Sequence, residues 1–250
     1  MNVSENKYWG FWATIAFGLL TFVIFTFLQT AILFGYMLVN EGSVLIDAID
    51  SDSNSELNKL LRSYSFNGDA ISISEIPAAI IGIALIIFFA SMRTALSIKE
   101  QLQLHLPKIK SLLLFLGLMI LAMMLMESVN SWLDRETPEF MTKVYESTKN
   151  MPLLWIAVGV AAPFFEEFLF RGFLLENLRH SWLGVAGAII LTSASWAIIH
   201  MQYGWFEIIS IFFIGILLGI AKIKTKSLYV PIAMHMLMTL AASVGMALGT

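Results

Sequence analysis

The chain has 250 residues, of which 58% are hydrophobic and 13% are charged, and its mean hydropathy is +0.79. A soluble domain carries roughly 25% charged residues, so this composition excludes an ordinary soluble fold and predicts a polytopic membrane protein. The net charge of −3 gives no basic surface for nucleic acid, and we expect no nucleic-acid partner. The chain has no cysteine, which excludes disulfides, thiolate metal sites and a cysteine nucleophile.

Apolar runs recur along the whole chain and predict an all-α transmembrane bundle of about seven spans. The first run has no cleavable signal pattern and is interpreted as a retained helix. The second and third runs are short, which leaves tilted or re-entrant segments open for them. The predicted spans are Trp9–Leu38, Ile76–Ala90, Leu112–Met126, Leu153–Leu178, Val185–His200, Phe206–Ile223 and Leu228–Leu248.

Basic residues are unevenly distributed among the connecting segments. The positive-inside rule then places the N-terminus in the cytoplasm, because the expected inner segments carry more of the basic residues and the last two outer segments carry none. We therefore expect a multi-pass integral protein whose first partner is the lipid bilayer. The basic residues of the expected inner segments are Lys7, Arg93, Lys99, Lys108, Lys110, Arg179, Lys222, Lys224 and Lys226.

Two outer segments have a recognisable pattern. The segment Glu41–Glu75 is rich in Asp, Ser and Asn and predicts a solvated loop with one short helix near Glu56–Ser63. The tripeptide Thr137-Pro138-Glu139 is typical of a helix start, with a capping residue, a proline and an acid in the first turn. An apolar face follows it, which indicates either a helix lying on the membrane surface or an ordinary capped connector.

The fourth span contains three charges, Glu166, Glu167 and Arg171, in an otherwise apolar sequence. Because a charge at the centre of a bilayer costs ~2.5–3.5 kcal/mol even on the lenient insertion scale, this cluster needs a compensating use. On a helix, Glu167 and Arg171 are four residues apart and can pair, while Glu166 is rotated by about 100° and points elsewhere. The pattern predicts an acid–base site, and a buried pair that only fixes helix register is the structural alternative.

Histidines on two later spans favour the site over a purely structural pair. His200 ends the fifth span, and His235 lies within the seventh. Thr239 follows His235 by one turn on the same face, although threonine in a membrane helix often bonds to its own backbone. We predict that these side chains converge with Glu166, Glu167 and Arg171.

These residues form a pattern that resembles the CPBP family of intramembrane proteases, which includes CAAX-box prenyl endopeptidases and bacterial bacteriocin-processing and immunity (Abi) proteins. The resemblance covers about 153–244 and departs from the family at two positions, where phenylalanine and asparagine are usual. It implies a catalytic core at 151–250, with four transmembrane helices, after N-terminal helices and two polar loops at 1–150. It also implies a bacterial plasma membrane. The matching motifs are Glu166-Glu167-x-x-x-Arg171-Gly172, Trp196-x-x-x-His200 and His235-x-x-x-Thr239, the departures being Trp196 and Thr239.

The resemblance further implies hydrolysis of a peptide bond in a membrane-associated peptide or protein substrate. Glu166 would be the general base, with His200 sharing the activation of water. Glu167 and Arg171 would hold the site together. His235 and Thr239 would stabilise the tetrahedral intermediate, although a threonine hydroxyl reaches less far than a carboxamide.

Metal dependence is left open at this point. Glu166, His200 and His235 would be the ligands if zinc is bound, with one position open for water. No obligatory cofactor is predicted.

Two other functions are compatible with the same residues. A non-catalytic immunity or scaffold protein could retain the fold, and Thr239 favours that interpretation. A transporter could use the same ionisable side chains as a proton or cation path. The compact spacing of the motifs, without a broken-helix repeat in two halves, argues against transport.

Overall fold

The computed structural model describes residues 7–50 and 54–248, and these ranges contain helices and no strand. Helix α7 includes two π-helical segments, Ala157–Ala161 and Phe168–Leu174. The ten helices of the described ranges are α1 (Phe11–Asp50), α2 (Asn54–Ser65), α3 (Gly68–Ser91), α4 (Ile98–Gln101), α5 (Ile109–Trp132), α6 (Glu139–Ser147), α7 (Met151–Leu178), α8 (Gly184–Ile198), α9 (Trp205–Thr225) and α10 (Tyr229–Leu248).

The predicted fold class is confirmed. Six helices (α1, α3, α5, α7, α9 and α10) are long and apolar enough to cross a membrane, and α8 is a shorter apolar helix. Their lipid-facing surfaces carry many exposed large apolar side chains, as on α5, where Leu113, Leu114 and Leu121 are all more than half exposed. The protein is a polytopic helical bundle of about seven spans.

The segment predicted as the solvated loop Glu41–Glu75 is mostly helical, and this expectation is wrong. Helix α1 continues past Leu38 to Asp50 with non-helical dihedral angles at Glu41, and α2 contains the short helix that the pattern predicts. Helix α3 begins at Gly68 because the Asn67 side chain accepts a hydrogen bond from the Ala70 N–H. The first turns of α3 are polar but buried. The span predicted from hydropathy therefore began at Ile76, eight residues after the observed start of the helix.

The third predicted span is also longer than its apolar centre, since α5 runs from Ile109 to Trp132. Helix α6 begins at Glu139, and Pro138 occupies the N-cap position without a side-chain hydrogen bond. The predicted helix after Pro138 is therefore present, but Thr137 does not cap it. Instead, Phe140 contacts Phe66 and Tyr203, which connects α6 to neighbouring segments.

Helices α3 and α7 start at the same level and run parallel. The Asp69 carboxylate accepts hydrogen bonds from the backbone N–H groups of Lys149 and Asn150, at 3.0–3.2 Å. The Gly68 N–H donates to the Ser147 hydroxyl at 3.0 Å. We call this end of the bundle, where α2 and α6 lie, the α2 side.

Midway along the bundle, α3 contacts α7 through a glycine. A Cβ atom at Gly82 would collide with the Phe165 ring, whose other side stacks on Phe25 of α1 with centroids 4.0 Å apart. Phe165 is almost fully buried, so it has no open space into which to move. This close approach sets the distance between α3 and the acidic residues that follow Phe165.

At the opposite end, a buried ionic cluster connects three segments. Lys222 of α9 donates to Glu176 of α7 at 3.0 Å and to the side chain of Gln103 at 2.8 Å. The Gln103 carbonyl accepts the Leu228 N–H at 3.0 Å, which adds the start of α10. Lys222 was expected in a cytoplasmic connection, but it is fully buried because Glu176 supplies its counter-charge.

Helix α9 packs closely on α8 through two glycines one turn apart. A Cβ atom at Gly215 would lie 2.9 Å from Ser193 and 3.1 Å from Trp196, and one at Gly219 would lie 3.2 Å from Ile189. Small residues at such positions let helix backbones approach. Packing therefore accounts for the Gly-x-x-x-Gly spacing.

Replacing Gly82 by alanine tests the contact between α3 and α7. We expect destabilisation of about 1–3 kcal/mol, because the added methyl group overpacks against Phe165. Thermal unfolding of detergent-purified protein, followed by tryptophan fluorescence, measures the change.

Gly117→Ala is the matched control, since a Cβ atom there meets nothing within 4 Å. Both substitutions gain up to about 1 kcal/mol of helix propensity, so their difference isolates packing. Equal unfolding temperatures for the two variants would contradict the described contact.

Candidate active site

The acidic pair lies on α7 between its two π-helical segments. Residues 162–167 are α-helical, and the N–H of Ala162, the first of them, donates to the carbonyl of Ala157, five residues back. Pro163 has no N–H to donate, and a local π turn accommodates such a break in the helical hydrogen bonds. The wider turns occur on both sides of Glu166 and Glu167 and set the directions in which these side chains leave the helix.

Glu167 is the centre of a fully buried ionic cluster. Its Oε1 accepts hydrogen bonds from Arg171 Nη1 at 2.8 Å and from His235 Nδ1 at 3.0 Å. Arg171 Nη2 also donates to the Gly215 carbonyl at 3.4 Å, which brings in α9. The predicted pairing of Glu167 with Arg171 is present, and it connects α7, α9 and α10.

Trp196 of α8 contacts most of the other site residues. Its indole N–H donates to Glu166 Oε2, and the Arg171 guanidinium lies 4.4 Å from the centre of its ring. The imidazoles of His200 and His235 meet it edge to face, with centroids 5.4 Å and 5.1 Å away. The Trp196 side chain is 1% exposed.

Both histidines have a defined tautomer in their neutral form. His200 Nδ1 lies 2.8 Å from the Trp196 carbonyl oxygen, which can only accept, so Nδ1 carries the proton. His235 Nδ1 likewise donates to the Glu167 carboxylate. Each ring then keeps Nε2 as a free acceptor, as a base or a proton carrier requires. Glu166 and His200 are only partly buried, whereas Glu167 and His235 are buried.

Thr239 does not join these contacts. Its hydroxyl donates to the backbone carbonyls of His235 at 3.1 Å and Met236 at 3.3 Å. The hydroxyl proton is therefore already used within α10. Stabilisation of an oxyanion by Thr239 would require that this backbone bond break first.

The conditional zinc ligands Glu166, His200 and His235 do not come together as a metal site. Among the described residues of 7–50 and 54–248, no group of three or more His, Asp or Glu side chains is arranged to hold a metal ion. The Trp196 indole explains this, because it contacts both imidazoles and donates to Glu166. The donor set in this geometry does not fit zinc.

Two further residues of the site were not found from the sequence. Glu75 of α3 is close enough to Glu166 for their charges to interact. It was expected in a loop because its sequence neighbours are polar. Tyr203 stacks on His200 with centroids 6.2 Å apart. Burial, together with the charge of Glu166, raises the pKa of Tyr203 to about 12, so its hydroxyl keeps its proton at neutral pH.

Replacing Arg171 by methionine tests the buried cluster. We expect a loss of about 3–5 kcal/mol in the free energy of unfolding, because the buried Glu167 carboxylate loses its cationic partner. The double variant Glu167→Gln with Arg171→Met should recover part of this loss. Denaturant unfolding in mixed micelles measures both.

Arg179→Met is the control, because Glu176 keeps its second cationic partner, Lys222, when Arg179 is removed. It should cost much less than Arg171→Met. A similar cost for the two variants would show that the Glu167 pair has no special structural role.

Comparison with known proteins gives one family match. Residues 148–241 match the family model described as "Type II CAAX prenyl endopeptidase Rce1-like". This segment runs from the start of α7 into α10 and contains every predicted site residue, whereas Glu75 lies outside it.

Two relatives extend the comparison. An "Uncharacterized 24.3 kDa protein" of Escherichia coli is 32% identical over 102 residues, which are 39% of this chain and 46% of that protein. The "Membrane-embedded CAAX protease MroQ" of Staphylococcus aureus (strain USA300) is 26% identical over 179 residues, which are 65% of this chain and 72% of that protein. No solved structure matches. The family match over 148–241 and the second relative support the resemblance of the chain to the CPBP (CAAX protease / bacteriocin-processing, Abi) family of intramembrane proteases.

Proposed function

We propose that the protein is an endopeptidase that hydrolyses a peptide bond of a membrane-associated peptide or protein through a water molecule activated by Glu166 and His200. Its partners would be the lipid bilayer and that substrate. It would lie in a bacterial plasma membrane with the N-terminus in the cytoplasm. The family match and the CAAX protease relative support membrane proteolysis, and the site geometry supports the roles of the residues.

One observation carries the proposal. Two carboxylates that are adjacent in sequence have different environments: Glu167 is buried and paired with Arg171, while Glu166 is half-buried and accepts only a neutral indole N–H. Such a division of roles is what acid–base chemistry needs, because one group can hold the site while the other exchanges a proton.

The reaction would begin with transfer of a proton from water to Glu166, as the water oxygen forms a bond to the scissile carbonyl carbon. The carbonyl π electrons move to the oxygen and give a tetrahedral oxyanion. A protonated His235 would donate Nε2–H to this oxygen, and Glu167 would stabilise the imidazolium charge. Collapse of the intermediate breaks the C–N bond, and Glu166 returns its proton to the leaving amine.

A second candidate function has its own support. The Trp196 indole occupies one oxygen of Glu166, and the Thr239 hydroxyl is bonded within α10. Both features reduce the groups that are free for catalysis and favour a non-catalytic immunity or scaffold protein with the same fold. The two functions differ in their dependence on Glu166.

Glu166→Gln tests the proposed reaction. We expect a loss of cleavage of about 10²–10⁴-fold, because glutamine cannot accept the proton from water. Comparative peptidomics of membranes from cells with the parent chain and with this variant should show a product that only the parent forms. The purified parent protein in vesicles should then cleave the corresponding synthetic peptide.

Glu127→Gln on α5 is the matched control. Glu127 is an exposed glutamate on a membrane helix and lies outside the sequence motifs of the site. It should cleave like the parent. Identical peptide profiles from the parent and Glu166→Gln would favour the non-catalytic function.

Metal removal is a separate prediction. Because the three potential ligands are not assembled around a common point, we expect purified protein to keep its peptidase activity after exhaustive chelation. Activity is measured with the same synthetic peptide before and after dialysis. Loss of activity on chelation, with recovery on addition of one equivalent of zinc, would overturn this expectation.

A further inference from the structure

The described residues contain four buried acidic side chains, Asp69, Glu75, Glu167 and Glu176. Three of them have partners that compensate their burial. Glu167 pairs with a cation, and so does Glu176. Asp69 accepts two backbone N–H groups at the start of α7. Only Glu75 lacks this kind of compensation.

The Glu75 carboxyl group is held on one side only. Its Oε2 accepts a hydrogen bond from the Gln29 amide of α1, and its Oε1 is buried without a hydrogen-bond partner among the described residues. The residue is 6% exposed, and no lysine or arginine in the described ranges forms an ion pair with it. An ionised carboxyl group without a cation is costly in such an interior, so Glu75 is either protonated there or paired with a cation that the described residues do not supply.

Glu75 lies beside the catalytic region. It precedes Gly82 by seven residues, so the two occupy nearly the same face of α3, about 10 Å apart along the helix axis. Gly82 contacts Phe165, the residue before Glu166. Glu75 therefore lies closer to the α2 side than the contact between Gly82 and Phe165. Its charge interacts with that of Glu166.

The charges of this region do not balance. Arg171 pairs with Glu167 and also interacts electrostatically with Glu166, whereas Glu75 forms no ion pair among the described residues, so one guanidinium faces three carboxyl groups. Two acidic groups in a low-dielectric interior favour a positively charged ligand strongly. The described residues around them form no three-donor metal group, so the complementary ligand is an organic cation.

We propose that Glu75 binds a lysine or arginine side chain of the substrate, within a few residues of the scissile bond and on its α2 side. This proposal rests on the proposed peptidase function and adds a substrate preference to it. Glu75 Oε1 accepts the cationic N–H, while Gln29 holds Oε2 and fixes the orientation of the carboxylate. The N-terminal helices thereby supply a specificity-determining residue to a site whose other members lie on α7–α10.

The test uses full-length protein in phosphatidylcholine vesicles, whose neutral surface does not itself attract basic peptides. The probes are synthetic hydrophobic peptides of about 20 residues, long enough to span the bilayer, in which one lysine is placed at successive positions. Each has a matched peptide with glutamine at that position. Cleavage sites and kcat/KM are measured by mass spectrometry for the parent, Glu75→Gln and the control Glu127→Gln.

For the parent and Glu127→Gln we expect cleavage at a fixed distance from the lysine, with kcat/KM on the order of tenfold or more above that of the glutamine peptide. Glu75→Gln should lose this preference, mainly through KM, so that its kcat/KM values for the lysine and glutamine peptides become nearly equal. A parent without lysine preference, or a Glu75→Gln variant that keeps it, overturns the proposal.

A binding measurement separates this inference from the proposed function. In the Glu166→Gln background, fluorescence anisotropy of labelled peptides should show tighter binding of the lysine peptide, and the added Glu75→Gln substitution should abolish the difference. If the parent cleaves nothing but this difference is present, the peptidase function fails and the cation site stands. If cleavage occurs and the two peptides bind equally, the cation site fails alone.

A second variant keeps the proposal testable if Glu75→Gln does not fold. If Glu75→Gln does not give monodisperse protein, Glu75→Asp keeps the charge on a side chain one methylene shorter. It should weaken the lysine preference, measured as the ratio of kcat/KM between the lysine and glutamine peptides. An unaltered preference in Glu75→Asp, at the same lysine position and strength, counts against contact with Glu75.

Discussion

The buried pair of Glu167 and Arg171 is the interaction on which the rest of the site depends. It is fully inaccessible, and its further contacts with His235 and the Gly215 carbonyl connect α7, α9 and α10. Such a pair is weak evidence for stability on its own, because desolvation offsets most of its attraction. Its consequence here is geometric: with Arg171 engaged by Glu167, Glu166 turns to a different neighbour and remains partly accessible.

Trp196 gives the site its second constraint. The ring contacts both imidazoles edge to face, lies against the Arg171 guanidinium and donates its N–H to Glu166. The family that the motifs resemble usually carries phenylalanine at this position, and a phenylalanine ring could not donate a hydrogen bond. The indole therefore positions the proposed general base.

Much of the site could be predicted from the sequence because it depends on short spacings and on unusual residue types. A glutamate and an arginine four residues apart on a helix must meet, and histidines within apolar spans are rare enough to notice. Glu75 was missed for a physical reason. The turns of α3 before Ile76 are polar, and hydropathy cannot distinguish a polar turn in water from one buried against α1 and α7. The Thr239 hydroxyl can donate a hydrogen bond either to a backbone carbonyl of α10 or to another group in the site. Residue spacing alone does not decide between them.

The central claim is that Glu166 activates water and does not attack the substrate itself. A single-turnover reaction in ¹⁸O-labelled water, with enzyme in excess over a cleaved synthetic peptide, tests it most directly. The account predicts one ¹⁸O atom in the new carboxylate of the product and no label in the peptide that contains Glu166. Label in the Glu166 carboxylate would contradict it, because that result requires a covalent acyl intermediate on this side chain.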